Sequence, residues 1–292
     1  MPTTPSSDLP TRARVPKTWL AGAFAVAAAA AIGRHLLYKA AEQGAFVTNR
    51  DGASAPLDLG VKSRAIKIPS GDRLLQASLV QAEAPEAPAV CVFHGNAETL
   101  TDWAPVQALL RTAGITSLVF DYSGYGASTG RPTVRNVRQD ALAAYAHFRA
   151  ATPAAARHYV LGYSLGSGVL LDVLRRLRPA PDGVIIGAGF RSARAAAVVT
   201  GRVPPWVAWM LPDPWNNAAR VCRLKLPLLL VHSRQDMTIP FSHAEHMARV
   251  ARCPTRFITF DDLPHNAAIN PDHMIAFWAP VIECLRTGEL AT

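Results

Sequence analysis

The sequence predicts an α/β fold: a mostly parallel eight-stranded sheet with helices on both faces and a small inserted lid. Three observations carry that expectation. Short apolar runs recur along the chain and, after the second, alternate with helical patterns as in a parallel sheet. One run ends in Gly162-Tyr163-Ser164-Leu165-Gly166, the pattern G-x-S-x-G placed between a strand and a helix. And 292 residues at 50% hydrophobic can bury one large core without division into further domains.

Taken in order, the first two strand candidates, 62–68 and 73–81, flank Ser70-Gly71-Asp72 and read as an antiparallel hairpin. The third, 88–94, is an apolar run that stops at His94-Gly95-Asn96-Ala97-Glu98, where a helix begins. The fourth, 115–121, runs into a Gly-rich turn, and Asp121 is expected to fix that turn through local hydrogen bonds. The fifth, 157–163, delivers the G-x-S-x-G turn; the remaining candidates are 183–189, 226–232 and 255–260. Residues 199–221 break the rhythm. They hold Pro204, Pro205, Trp206, Trp209, Met210, Pro212, Pro214 and Trp215, and read as a lid inserted between a strand and a helix.

On so sharp a strand-to-helix turn the central residue takes strained backbone angles, and glycine at 162 and 166 removes side chains that would collide with nearby backbone. Ser164 is then held out at a helix N-terminus, where unpaired N–H groups favour developing negative charge. A serine hydroxyl is a weak nucleophile, so it needs a histidine base, and that base needs a carboxylate to fix its tautomer. The buried strand Leu226-Pro227-Leu228-Leu229-Leu230-Val231-His232 delivers Asp236 in its following loop. After the next strand comes Leu263-Pro264-His265-Asn266, which supplies His265 as the base. Asp261 and Asp262 compete with Asp236 for the acid position, but they stand too close before His265 in the same loop to reach its Nδ1. An acyl-transfer oxyanion also needs two backbone donors, and the N–H groups of Leu165 and Asn96 are the candidates. His94 and His232 end core strands and read as structural, whereas His243 and His246 read as solvated.

The set His94-Gly95-Asn96-Ala97-Glu98, Phe120-Asp121-Tyr122-Ser123-Gly124-Tyr125-Gly126-Ala127-Ser128-Thr129-Gly130, Gly162-Tyr163-Ser164-Leu165-Gly166 and Asp236-Met237-Thr238-Ile239-Pro240-Phe241-Ser242-His243 resembles the α/β-hydrolase superfamily. Within it the chain is most similar to membrane-associated serine hydrolases that include protein depalmitoylases and monoacylglycerol or lysophospholipid lipases. The resemblance runs from about residue 60 to about 287. It implies a serine hydrolase of acyl esters or thioesters, with Ser164, Asp236 and His265 as the triad, no metal and no organic cofactor. Relatives usually carry glycine where this chain has Pro264. A peptidase on the same fold, or a non-catalytic membrane-tethered binding module, are the other readings.

The N-terminal 40 residues carry an address. Arg12, Arg14 and Lys17 precede the uncharged, alanine-rich stretch Thr18 to Gly33, after which Arg34 interrupts and Leu36, Leu37 and Tyr38 continue. A spanning helix needs about 20 residues and a signal core roughly 7 to 15, and this stretch lies between them. It is expected to be a single anchor with the catalytic domain, 41–292, outside the cytoplasm. Cleavage among Ala27 to Ala31, releasing a secreted or periplasmic enzyme, is the other expectation. The net charge of +9 comes mainly from arginine, yet no basic run interleaved with aromatics appears, which argues against nucleic acid. Expected partners are a small acyl ester, lipid or acylated substrate and a membrane. Cys91, Cys222, Cys253 and Cys284 match neither a zinc nor a CxxC spacing and read as isolated thiols, with a Cys222 to Cys253 bridge as the alternative.

Overall fold

The computed structural model describes residues 17–49 and 56–291. In chain order its elements are α1 (Lys17–Ala45), β1 (Arg64–Ser70), β2 (Arg73–Val80), β3 (Ala89–Phe93), α2 (Ala104–Thr112), β4 (Thr116–Phe120), α3 (Val134–Ala151), β5 (His158–Tyr163) and α4 (Leu165–Val173). There follow β6 (Gly183–Gly187), α5 (Ala193–Val199), α6 (Pro205–Ala208), α7 (Asn217–Val221), β7 (Leu228–Ser233), α8 (Ser242–Val250), β8 (Thr255–Phe260) and α9 (Met274–Thr287). The strands form one sheet in the order β1-β2-β4-β3-β5-β6-β7-β8. β1 and β2 are the expected antiparallel hairpin, β2 also runs antiparallel to β4, and every later pairing is parallel.

The central strands are buried on both faces because alternate residues enter two different cores. Cys91, Phe93, Val160, Ile186 and Leu230 meet α3, α4 and α8 through Val137, Ala141, Leu170 and Met247. Val90, Val92, Leu161, Ile185 and Leu229 meet α2 and α9 through Val106, Leu110, Trp278 and Val281. Such runs lack the polar alternation of a half-exposed strand, which is why they read as continuous apolar stretches.

The sheet order fixes where a site can form. From β3 the chain moves to one side to make β4, then crosses back to make β5 on the other side of β3. The carboxyl ends of β3 and β5 therefore flank the crevice at which the winding reverses, the place where α/β sheets bind ligands. The β3 loop carries Asn96 and the β5 turn carries Ser164.

At the N-terminus α1 is one unbroken helix of 29 residues that passes Arg34, Lys39 and residue 40. The alanines considered for signal cleavage lie within it, while Arg12 and Arg14 lie outside the described residues. Among the described residues no helix is long and apolar enough to cross a membrane, unlike the expected transmembrane helix. Charged and polar residues after Gly33 interrupt the apolar stretch. The four cysteines are all free thiols, so no Cys222 to Cys253 bridge forms.

Candidate active site

The turn after β5 has the geometry its glycines imply. Ser164 sits at φ 48° and ψ −114°, a left-handed backbone that side chains rarely adopt, and α4 begins at the next residue. A methyl group on Gly166 would lie 1.8 Å from the carbonyl oxygen of Phe93, at the end of β3, and one on Gly162 would lie 2.7 Å from the Gly166 carbonyl. Both obstacles are backbone, so only glycine lets α4 leave β5 while packed against β3.

The structure brings the three dispersed polar residues together. The Ser164 Oγ lies 3.0 Å from His265 Nε2, and His265 Nδ1 lies 2.7 Å from Asp236 Oδ2. With Nδ1 protonated toward the carboxylate, Nε2 is left to accept the serine proton, a tautomer assigned from the hydrogen-bond pattern. The other Asp236 oxygen accepts from the backbone N–H groups of Thr238 at 2.9 Å and Ile239 at 2.8 Å. Burial works to raise the Asp236 carboxyl, but hydrogen bonds from His232 and His265 outweigh it and hold the group well below the usual carboxylate range. Asp236 is therefore a fixed anion beneath His265. Asp261 points away, its side chain 90% exposed and paired with Arg234 at 3.2 Å, and Asp262 is also exposed.

Two further supports hold these groups. Tyr163, the residue before the serine, donates its hydroxyl to the His265 carbonyl oxygen across the crevice. His232 directs Nε2 at the Ile239 carbonyl, 2.8 Å away, and lies 3.3 Å from Asp236 Oδ2, so its structural reading extends to seating the acid. His243 differs from expectation: it is 3% exposed, receives the Arg191 backbone N–H, and burial pushes its imidazole down to about 4.

On the other side of the crevice the loop after β3 is tied down through Glu98. Its Oε2 accepts from the Gly95 N–H at 2.7 Å and from Trp103 Nε1 at 2.9 Å. Burial pushes this carboxyl up to about 7. Asp121, also pushed up to about 7 by burial, accepts from the Leu100 N–H at 2.6 Å and so reaches across to the β3 loop beyond its own turn. The Asn96 N–H has no acceptor among the described residues. That of Leu165, first in its helix, has no intrahelical partner. Among the described residues no cluster of His, Cys, Asp and Glu is suited to hold a metal ion.

Comparison with known proteins agrees with this architecture. The family model for serine aminopeptidase, S33, matches residues 84–219, a stretch that includes Asn96 and Ser164 and stops short of Asp236 and His265. The protein YfhR of Escherichia coli is 28% identical over 183 residues, 62% of this chain and 63% of that protein. Lysophosphatidylserine lipase ABHD12 of Rattus norvegicus is 28% identical over 215 residues, 66% of this chain and 53% of that protein. The solved Pyrococcus furiosus esterase Pf2001 superposes with a TM-score of 0.66 at 19% identity, covering 82% of this chain and 96% of its own. The chain has the α/β-hydrolase fold and is similar to serine hydrolases built on it. The matches span 63% and 53% of the lengths of those two curated relatives, so they bear on the shared hydrolase domain.

Beside the crevice of this α/β-hydrolase, α5, α6 and α7 occupy the 199–221 interval and its flanks. Trp215 is buried against Phe190 and Phe46, whereas Trp206 and Trp209 are 77% and 72% exposed. The three tryptophans therefore divide between packing on the core and facing outward. A cavity of about 400 Å³ opens here between Arg191, Val198, Ala208, Asn216 and His246; neither Ser164 nor His265 lines it.

Proposed function

We propose that this α/β-hydrolase cleaves acyl esters or thioesters through Ser164, His265 and Asp236. The observation that carries the reading is the relay of 3.0 Å and 2.7 Å from serine through imidazole to a buried carboxylate. Ser164 Oγ attacks the substrate carbonyl carbon while His265 Nε2 takes its proton. The carbonyl π electrons move onto oxygen, and the N–H groups of Leu165 and Asn96 stabilise that oxyanion. When the tetrahedral species collapses, His265 returns the proton to the departing alkoxide or thiolate, leaving an acyl-serine. Water then attacks with His265 again as base, the acyl–Oγ bond breaks as His265 returns the proton to Ser164 Oγ, and the acid departs. Each oxyanion donor contributes about 3 to 4 kcal/mol to the transition state, and positioned acid–base transfer roughly 100- to 10,000-fold in rate. Asp236 orients the imidazole and stabilises its positive form. The reaction as written uses no cofactor.

A lipid or acylated substrate is the preferred class. Two outward tryptophans on the proposed lid, 199–221, and the apolar residues exposed along α1 give the enzyme surfaces that favour an interface. The relatives named for lipase and esterase activity agree in chemistry. The family description as a serine aminopeptidase keeps amide cleavage as a second reading. Turnover of matched oxygen esters, thioesters and aminoacyl amides across acyl length separates them. Esters and thioesters should be hydrolysed, with kcat/KM rising with acyl length, and amides should lag far behind. Amide turnover that equals ester turnover overturns the ester assignment.

A further inference from the structure

The end of α1 and the chain that leaves it join the loop after β3 to the segment that carries Arg202. On the oxyanion-loop side, Asn96 Oδ1 accepts from the Val47 N–H at 2.9 Å, and Asn96 Nδ2 donates to the Ala45 carbonyl at 2.9 Å. The next residue closes the bridge, since the Ala97 N–H donates to the Val47 carbonyl at 2.9 Å. Tyr125 donates its hydroxyl to Asn96 Oδ1 at 2.7 Å from beneath. On the lid side, Arg202 donates from one guanidinium nitrogen to the carbonyls of Gly44 at 2.8 Å and Ala45 at 3.1 Å. Phe46 lies edge-on to Trp215, with ring centroids 5.9 Å apart. The Ala45 carbonyl oxygen thus receives both the oxyanion-loop amide and the lid guanidinium.

From this arrangement we infer that the segment Gly44–Val47 is a working strap of the active site, and that Asn96, through its side chain, and Arg202 are positioning residues. The inference rests on the serine hydrolase reading above. Three of the strap's bonds fix residues 96 and 97, directly after the Gly95–Asn96 peptide that presents the Asn96 N–H. The aim of that donor at the oxyanion therefore depends on where the strap lies. Arg202 holds the strap by carbonyls alone, so movement of the lid or of α1 reaches the oxyanion donor through one short piece of backbone. Neither side chain touches the reacting atoms; both act through geometry, and small displacements at a reacting centre cost rate steeply.

The test uses the full-length protein and a short soluble ester. Asn96→Ala keeps the backbone donor but loses every side-chain tie, and should lower kcat on the order of 10-fold or more while KM stays within about twofold. Its rate of phosphonylation by a fluorophosphonate, which uses the same oxyanion site, should fall in parallel. Arg202→Ala, at an exposed position where folding is not at risk, should lower kcat by several-fold, roughly, and Arg202→Lys should restore most of it by donating to the same two carbonyls. The double variant should lose less than the product of the two single losses, because both act through one strap. Wild-type kcat in a folded Asn96→Ala, multiplicative effects in the double variant, or failure of lysine to rescue position 202 overturns the inference. Should Asn96→Ala not fold, the Arg202 pair decides alone. Failure of the hydrolase reading itself looks different: wild-type protein would then neither turn over the ester nor accept the fluorophosphonate.

Discussion

Three aspartates stand near His265 in sequence or space, and their surroundings separate them. Asp236 has a side chain only 1% exposed and receives two backbone N–H groups as well as the imidazole, whereas Asp261 extends into solvent toward Arg234. Asp236→Asn should keep the fold but cost kcat about 10,000-fold, since an amide presents a donor where an acceptor is needed and favours the wrong imidazole tautomer. Asp261→Asn should leave kcat unchanged. Steady-state kinetics on a soluble ester checks both, and the reverse ranking would move the acid to the later loop. The place of Asp236 at the sheet's carboxyl edge was legible from sequence because it follows an apolar strand. The burial of His243 was not, because the Arg191 backbone that meets it lies 52 residues away in the chain.

Among the elements, the loop after β3 carries an unusual feature: a buried carboxyl, Glu98, bonded to two N–H groups. An unfolded glutamate titrates near 4.3, roughly, and the folded one near 7. Between those values the folded protein holds a proton the unfolded chain has released, so this group's contribution to stability falls as pH rises through that window and is level above it. Asp121 shifts in the same direction, and a variant compared with its parent isolates Glu98. Glu98→Gln keeps an oxygen for the Gly95 and Trp103 donors but cannot ionise. Its melting temperature should match the parent near pH 5 and exceed it near pH 8, followed by calorimetry. A gap that closes or reverses as pH rises would show that burial imposes no such penalty. The strands were the most legible elements: the seventh, expected at 226–232, forms at Leu228–Ser233, and the eighth at Thr255–Phe260 coincides with 255–260. Two-sided burial makes each a continuous apolar run, a local signal. The strap and the Tyr163 contact to His265 are tertiary, joining residues 51 and 102 positions apart, and no spacing rule encodes them.

At the scale of the molecule, two surfaces bear on where the enzyme works. α1 exposes Trp19, Phe24, Val26, Ile32 and Leu36, while its last turns dock through Glu42, which accepts from the Val134 N–H at 2.9 Å. Large apolar side chains left exposed along one helix favour an interface, and here the proposed partner is a membrane. Full-length protein should stay bound to lipid vesicles in high salt, because apolar burial is not screened by salt. Release by salt alone would mean that the basic surface, with its net charge of +9, makes the attachment. The central claim is that Ser164 is the nucleophile of a hydrolase. Its most direct test is intact-mass and peptide analysis after treatment with a fluorophosphonate, alongside Ser164→Ala. The account predicts one adduct, located on the peptide containing Ser164, with labelling and ester turnover both lost in a Ser164→Ala protein that melts like its parent. An adduct on another residue, or ester turnover retained by Ser164→Ala, would contradict it.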